Sequence, residues 1–454
     1  QPSRSTMEAD IAMLYNYCIT FDIWTSRSIQ SYISLIVHYI SLQLGANPFP
    51  GHHGAEELAS KLRELVDSWE LSFEKLVAIT CGNTSNNVKC CDEILKIFHL
   101  PCAGHVLNLA VHDGLRVRGI SEVVFWYCKL TEHFNRSGPV RKMLPGVQKE
   151  KGLPEQQLIQ DVQTRWNSIF QMICRLLKQK EAVIEAVHHT LPHPNSPLPA
   201  YMLSDVEWKQ LDQLVPLLQL FYDTTAWISA ASYVTASVLG PSLVMIHKAL
   251  QMVNTNPQVI RCFKEVVLTK VDKYFTSSET ETFLNKSCYL DPQFRAFIQK
   301  IESKRTTEEQ IQMDLHQLIE KDADSQIATL DHVSNSTTSV SQTPTGLNRL
   351  MGTIFQPDSI ACPDRTTYTT SEMCASEIAH YNALPLPNLD INPLEWWKVH
   401  SGKYMAKLAK KVLCVVGTST PSESLFSTTG DIVTAPRDCS QAQTMERRKF
   451  LTLH

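Results

Sequence analysis

From Ser31 to Ile40 the chain is apolar on both sides of a two-residue repeat, with Ile33, Leu35, Val37 and Tyr39 on one face and Tyr32, Ile36 and Ile40 on the other. A strand with two apolar faces is stable only where both are covered, which predicts a sheet with helices on both sides. The neighbouring segments fit that frame. Tyr17 to Ile23 reads as an apolar strand with Asp22 near its end, where a strand delivers a side chain to the sheet edge. Ala55 to Trp69 places Leu58, Leu62, Leu65, Val66 and Trp69 at helical spacing, with charged residues opposite. Leu76 to Cys81 is the next buried strand and runs into Gly82-Asn83-Thr84-Ser85-Asn86, a turn and N-cap cluster. A helix with Val88, Cys91, Ile94, Leu95 and Phe98 on one stripe is expected after it. This alternation of strand, loop and helix is the signature of an α/β fold.

Downstream, Cys102-Ala-Gly-His105 leads into an apolar helix, and Leu158 to Val162 is a short strand candidate running into Thr164-Arg165-Trp166-Asn167-Ser168. From about 200 to 320 the period is helical almost throughout, so an all-helical block follows the mixed one. His332 to Gly346 holds eight Ser or Thr among fifteen residues and no Lys, Arg, Asp or Glu, the composition of a flexible linker. The last unit starts near Ser371, includes Trp396-Trp397 and continues as an amphipathic helix. Between Ser401 and His454 eight Lys or Arg face four Asp or Glu, which makes this tail the one mildly basic region.

Composition narrows the function classes. A formal charge of -4 over 454 residues excludes a polybasic nucleic-acid coat or membrane anchor as the global design, so any nucleic-acid contact is local. No apolar run approaches the roughly 18 to 20 residues that span a bilayer, and no signal peptide is visible. Thirteen scattered cysteines without a Cys-x-x-Cys indicate a reducing compartment and neither a zinc ribbon nor a thioredoxin-type site. The chain begins with Gln, which fits a fragment of a longer product.

The motifs Asp22-Ile-Trp-Thr-Ser26, Pro101-Cys-Ala-Gly-His105, Asp161-Val-Gln-Thr-Arg-Trp-Asn-Ser168, Leu290-Asp-Pro-Gln-Phe294 and Pro393-Leu-Glu-Trp-Trp397 follow one another along the chain. With Thr418-Ser-Thr-Pro-Ser-Glu-Ser-Leu-Phe-Ser427 they closely resemble hAT-superfamily transposases, and in particular the zinc finger BED domain-containing proteins derived from them. The resemblance implies an RNase H-like α/β fold interrupted by a long all-helical insertion and completed by a C-terminal hAT dimerisation region. On this basis we expect a first RNase H-like part over 1–195, the helical insertion over 196–325, a flexible linker over 326–370 and the dimerisation region over 371–454.

Active members of the family cleave and join DNA with two divalent cations, which activate the attacking oxygen and stabilise the leaving one. Such cations take hard oxygen ligands, chiefly carboxylates. Asp22 matches the first family carboxylate and Glu423 the third. Gly82 stands where relatives carry the second, in Cys81-Gly-Asn-Thr-Ser-Asn86, and neither Asn83 nor Asp92 is a convincing substitute. The expectation is therefore a relict site in a chain that does not catalyse transposition, with no cofactor or resident metal; Mg²⁺ enters only under the alternative of an active transposase. Other departures agree: Ser424 follows Glu423 where relatives have Arg, and the passage Ser41 to Gly54 is short, so a third strand is expected to be mostly absent. The BED finger of relatives is not in this sequence.

Plainer readings stand beside these. Without the resemblance, Asp22 is a strand-end carboxylate capping a turn, and Glu423 a carboxylate favoured at a helix N-terminus. Cys102 and His105 lack the further pair that structural zinc needs, so local packing near the DNA side of the site is their expected role. Arg165 and Trp166 suit a phosphate contact and a stacking ring on distorted DNA, or a Trp packed at a helix start. Trp396, Trp397, Leu408, Val412, Leu425 and Phe426 are the residues expected to serve dimerisation, with domain core as the alternative for the two tryptophans and for the apolar stripe. The combined reading is a domesticated, catalytically inactive nuclear protein that forms a homodimer or higher oligomer and has DNA or chromatin proteins as partners, without membrane contact. A dimerising scaffold with no DNA affinity is the remaining alternative.

Overall fold

In the computed structural model the described residues are 16–25, 31–38, 42–49, 53–159, 166–189, 191, 193, 199, 201–229, 235–251, 257–298, 301–333, 369–389, 391–400 and 403–419. The chain divides into two compact units, Gln1–Leu290 with Lys411–His454, and Asp291–Lys410.

The first unit is organised by a five-stranded sheet in the order β3-β2-β1-β4-β5. Its strands are β1 (Tyr17–Thr25), β2 (Ser31–His38), β3 (Leu42–Pro48), β4 (Leu76–Cys81) and β5 (His99–Pro101). β1 pairs antiparallel with β2 and β2 with β3, whereas β4 runs parallel to β1 and β5 parallel to β4. The two parallel pairings need crossovers, and α1 (Ala55–Ser68) supplies the first. Side chains alternate across the sheet. One face, with Tyr17, Ile19, Phe21, Ile33 and Leu35, packs against Leu58, Leu62, Leu65 and Val66 of α1 in a single apolar cluster.

Two expectations are corrected here. The third strand is present: β3 pairs with β2 from Tyr32↔Pro48 to Val37↔Leu42, with an irregularity between Leu35 and Ile36. Gly45, Asn47 and Pro48 read as breakers, and an edge strand tolerates such residues because one of its sides makes no ladder. The regular helix expected after Asn86 is instead a short α-helix, α2 (Ser85–Val88), that widens into π-helical turns over Lys89–Leu95. It stops at Lys96, whose φ of 56° is left-handed, so Phe98 lies beyond the helix.

Helices α3 (Ala103–Leu115), α4 (Ile120–Arg136), α5 (Gly138–Glu150), α6 (Trp166–Lys178) and α7 (Lys180–His188) follow. α8 (Asp205–Ile228), α9 (Thr235–Leu250), α10 (Gln258–Phe275) and α11 (Ser278–Leu290) complete the helical part of this unit. α3 packs along α10, α6 along α8, and α9 along α11. Leu158 and Ile159 have no regular structure, and the rest of that strand candidate lies outside the described residues.

The second unit contains α12 (Ile301–Val333), α13 (Thr370–Ala383), α14 (Pro393–Val399) and the start of α15 (Lys403–Leu413). α12 carries the helix through residues 326–333, where a linker was expected to begin; 334–368 lie outside the described residues. Helix starts are chemically explicit: Ser204 and Thr369 form capping boxes with Glu207 and Glu372. Among the described residues, no helix is long and apolar enough to cross a membrane.

Candidate functional site

The second face of the sheet is buried yet polar. Thr20, Ser34, His38 and Thr80 all lie within it, and a buried polar group must find a partner. Thr20 Oγ1 and His38 Nε2 share a hydrogen bond of 2.9 Å, and burial lowers the His38 pKa to about 4. Thr80 Oγ1 donates to the carbonyl of Val416 at 2.7 Å. That bond brings in the C-terminal stretch, which the sequence leaves remote by more than 300 positions.

Residues 414–419 follow α15 and lie against this face. Ala103 N–H donates to Gly417 O at 2.9 Å. Ser419 donates both its N–H and its hydroxyl to Cys102 Sγ, each at 3.2 Å. Gly417 is required by contact rather than by φ: a Cβ there would fall 2.8 Å from Leu239. Burial pushes the Cys18 thiol, on the same face, up to about 12, and burial likewise raises Cys414, with Cys18 a lesser contributor. These thiols are protonated packing groups, not nucleophiles.

The parallel register fixes the site. The last paired rung of β1 and β4 is Thr20↔Thr80; two residues further on each strand come Asp22 and Gly82, at the same end of the sheet and, by alternation, on its polar face. Asp22 Oδ1 accepts the N–H of Ile23 at 2.9 Å. The Asp22 carboxylate also contributes to raising the Cys81 thiol, whose largest cause is burial. Gly82 O accepts from Asn87 Nδ2 at 2.9 Å. A Cβ added at Gly82 would sit 3.9 Å from both Asn87 and His105, ordinary contact distance, so the position accepts a Cβ without a clash.

The sequence-assigned residues divide accordingly. Asp22, Gly82, Cys102 and His105 come together at the ends of β1 and β4 and the start of α3. Cys102 is fully buried and spends its sulfur on Ser419, so it holds the C-terminal stretch instead of facing solvent. Trp166 is 2% exposed, packs its ring 6.3 Å from Phe170 and sits at the start of α6; in this geometry its ring is core. Arg165, Glu423, Leu425 and Phe426 lie outside the described residues. Trp396, Trp397, Leu408 and Val412 are buried within the chain. Trp397 stacks on Tyr381 at 4.9 Å, and Trp396 meets the same ring edge-on at 6.0 Å. Sequence reasoning missed Thr80 and His38, which carry no motif, and gave Ser419 no role of its own within the Thr418–Ser427 motif; all three become partners only through long-range pairing.

A pair of divalent cations fits this donor set poorly. Of the two family carboxylate positions within the described residues, one is Asp22 and the other is Gly82. The neighbouring Asn83 encloses an amide nitrogen, a hydrogen-bond donor, without an acceptor. Among the described residues no group of three or more His, Cys, Asp or Glu is placed to hold a metal ion.

A mixed sheet with a carboxylate at the end of its first strand, completed by a C-terminal return, is the scaffold of RNase-like nucleases and transposases. Comparison with known families agrees. The family model described as the ZBED1 RNase-like domain matches residues 20–106, the ZBED1 RNase-like helical domain matches 100–217, and the hAT family C-terminal dimerisation region matches 377–450. The chain is 25% identical to the "Putative AC transposase" of Zea mays over 92% of its own length and 54% of that relative's. It is 27% identical to zinc finger BED domain-containing protein 4 of Homo sapiens over 37% of the chain and 16% of the relative. With zinc finger BED domain-containing protein RICESLEEPER 3 of Oryza sativa the identity is 22% over 90% of the chain and 57% of the relative. The chain thus spans about half the length of the curated relatives it matches along most of its length. It is a hAT-superfamily transposase-like chain, with the RNase-like regions and the dimerisation region in family order.

Proposed function

We propose that this chain is a domesticated member of its family that keeps the RNase-like scaffold, self-associates through its C-terminal region and has lost metal-dependent DNA cleavage. The supporting observation is Gly82, which leaves the end of β4 without a carboxylate beside Asp22 on β1. Without the second position the site keeps at most Asp22 and Glu423 of the three family carboxylates, a weakened set for neutralising and bridging the two cations that phosphoryl chemistry of this kind depends on. The proposal includes a nuclear location and a role in DNA-associated transcriptional regulation, on the strength of the BED-type and transposase relatives.

The test is nicking of duplex DNA in Mg²⁺ or Mn²⁺ by the unmodified chain and by Gly82→Asp, whose Cβ meets no clash. No cutting by the unmodified, folded chain is expected. Cutting by the unmodified chain that disappears in Asp22→Asn would reject the reading. Cutting by Gly82→Asp alone would identify Gly82 as the lesion.

A further inference from the structure

The dimerisation region presents a surface made of residues the motif reading passed over. We propose that the loop between Leu384 and Ile391, with Phe297 beside it, is the face on which a second copy of this chain docks; the inference rests on the self-association proposed above and assigns its surface. Arg295 donates to the carbonyls of Tyr381 and Leu384, and its guanidinium lies 4.7 Å from the Tyr381 ring centroid. Gln293 donates to the carbonyl of Ile391. The loop is therefore tied at both ends to the turn that carries Phe297, all within one compact unit.

Three large apolar side chains stand out from this tied structure: Leu386 is 54% exposed, Leu389 63% and Phe297 53%. Pro385 and Pro387 flank Leu386. Proline fixes φ, so the loop holds its presenting conformation before any partner arrives and loses little entropy on binding.

The chemistry selects the occupant. From Leu384 to Asn392 the sequence has no Lys or Arg and carries Asp390, so the loop offers nothing to a phosphate backbone and suits a protein surface. Leu386 and Leu389 both fall within the 377–450 match to the hAT C-terminal dimerisation region, which points to a second copy. The tryptophans of that region cannot fill this role because they are enclosed in their own unit, Trp397 stacked on Tyr381.

The test is sedimentation velocity of the full chain over a concentration series, beside Leu386→Glu/Leu389→Glu and the control Val244→Glu/Met245→Glu, which alters exposed apolar residues of the first unit. Far-UV circular dichroism verifies that each variant is folded. The expected result is a dimer for the unmodified chain and the control, and a dimer weakened by roughly a hundredfold or more in the loop variant, the effect of losing two buried leucines. A dimer of unchanged strength in the loop variant would overturn this assignment while leaving self-association intact. A monomeric unmodified chain would remove both, and equal weakening by the control would show that the loop is not the specific face.

Discussion

His38 shows how a single residue reports on the polar face of the sheet. Its ring is buried against Thr20, and burial holds its pKa near 4, below the ordinary 6.5. Between those values the unfolded chain binds a proton that the folded chain refuses, so stability falls as pH drops from about 6.5 through about 4. Fully expressed, the shift corresponds to roughly 3 kcal/mol. Urea denaturation at pH 7 and pH 4.5 should therefore show a larger acid loss for the unmodified chain than for His38→Gln. Equal losses would mean that the ring is not shielded. Thr80 makes a complementary prediction: Thr80→Val removes the donor to Val416 O, leaves a carbonyl short of its partner, and is expected to cost about 1 to 3 kcal/mol by the same measurement. Neither residue was legible in the sequence, because a Thr or His in a strand has no signal until its partner is known. The apolar runs and turn residues put Asp22 and Gly82 at strand ends, but only the resemblance to hAT transposases singled them out as site positions.

At the level of elements, periodicity found β1, β2, β4 and α1 close to their observed bounds, because alternation and the 3.6-residue stripe are direct consequences of burying one face. It failed where an element is stabilised by position. β3 is an edge strand whose Gly and Pro are acceptable only there, and the π-helical turns over Lys89–Leu95 keep Cys90 and Cys91 in the core by widening the helix rather than by regular spacing. The stretch 414–419 is held by hydrogen bonds to Thr80, Ala103 and Cys102, none of which a periodic pattern records. Helix pairing makes a prediction of its own. Gly114 lies where α3 meets α10, and a Cβ there would fall 2.6 Å from Val267 and 2.7 Å from Phe263, both enclosed. Gly114→Ala should lower stability by about 1 to 3 kcal/mol through overpacking, seen as a reduced melting temperature. An unchanged melt would show that the crossing yields at no cost.

Across the whole molecule, the chain leaves its sheet-bearing unit after Leu290 and rejoins it at Lys411, so residues more than 300 positions apart complete one site. The site depends on the C-terminal return, whose residues 416–419 bond to Thr80, Cys102 and Ala103. Motif reading succeeded on family and fold, and it left Trp396 and Trp397 as core or interface anchors, since their aromatic size suits both; their burial within the chain favours core. The central claim is that Gly82 removes a charge this site needs to hold a pair of catalytic cations. Titration of the unmodified chain with Mn²⁺ by calorimetry, beside Gly82→Asp and Asp22→Asn, tests it most directly. The account predicts no specific uptake by the unmodified chain and a gain of binding in Gly82→Asp. Tight, stoichiometric Mn²⁺ binding by the unmodified chain, abolished in Asp22→Asn, would contradict it.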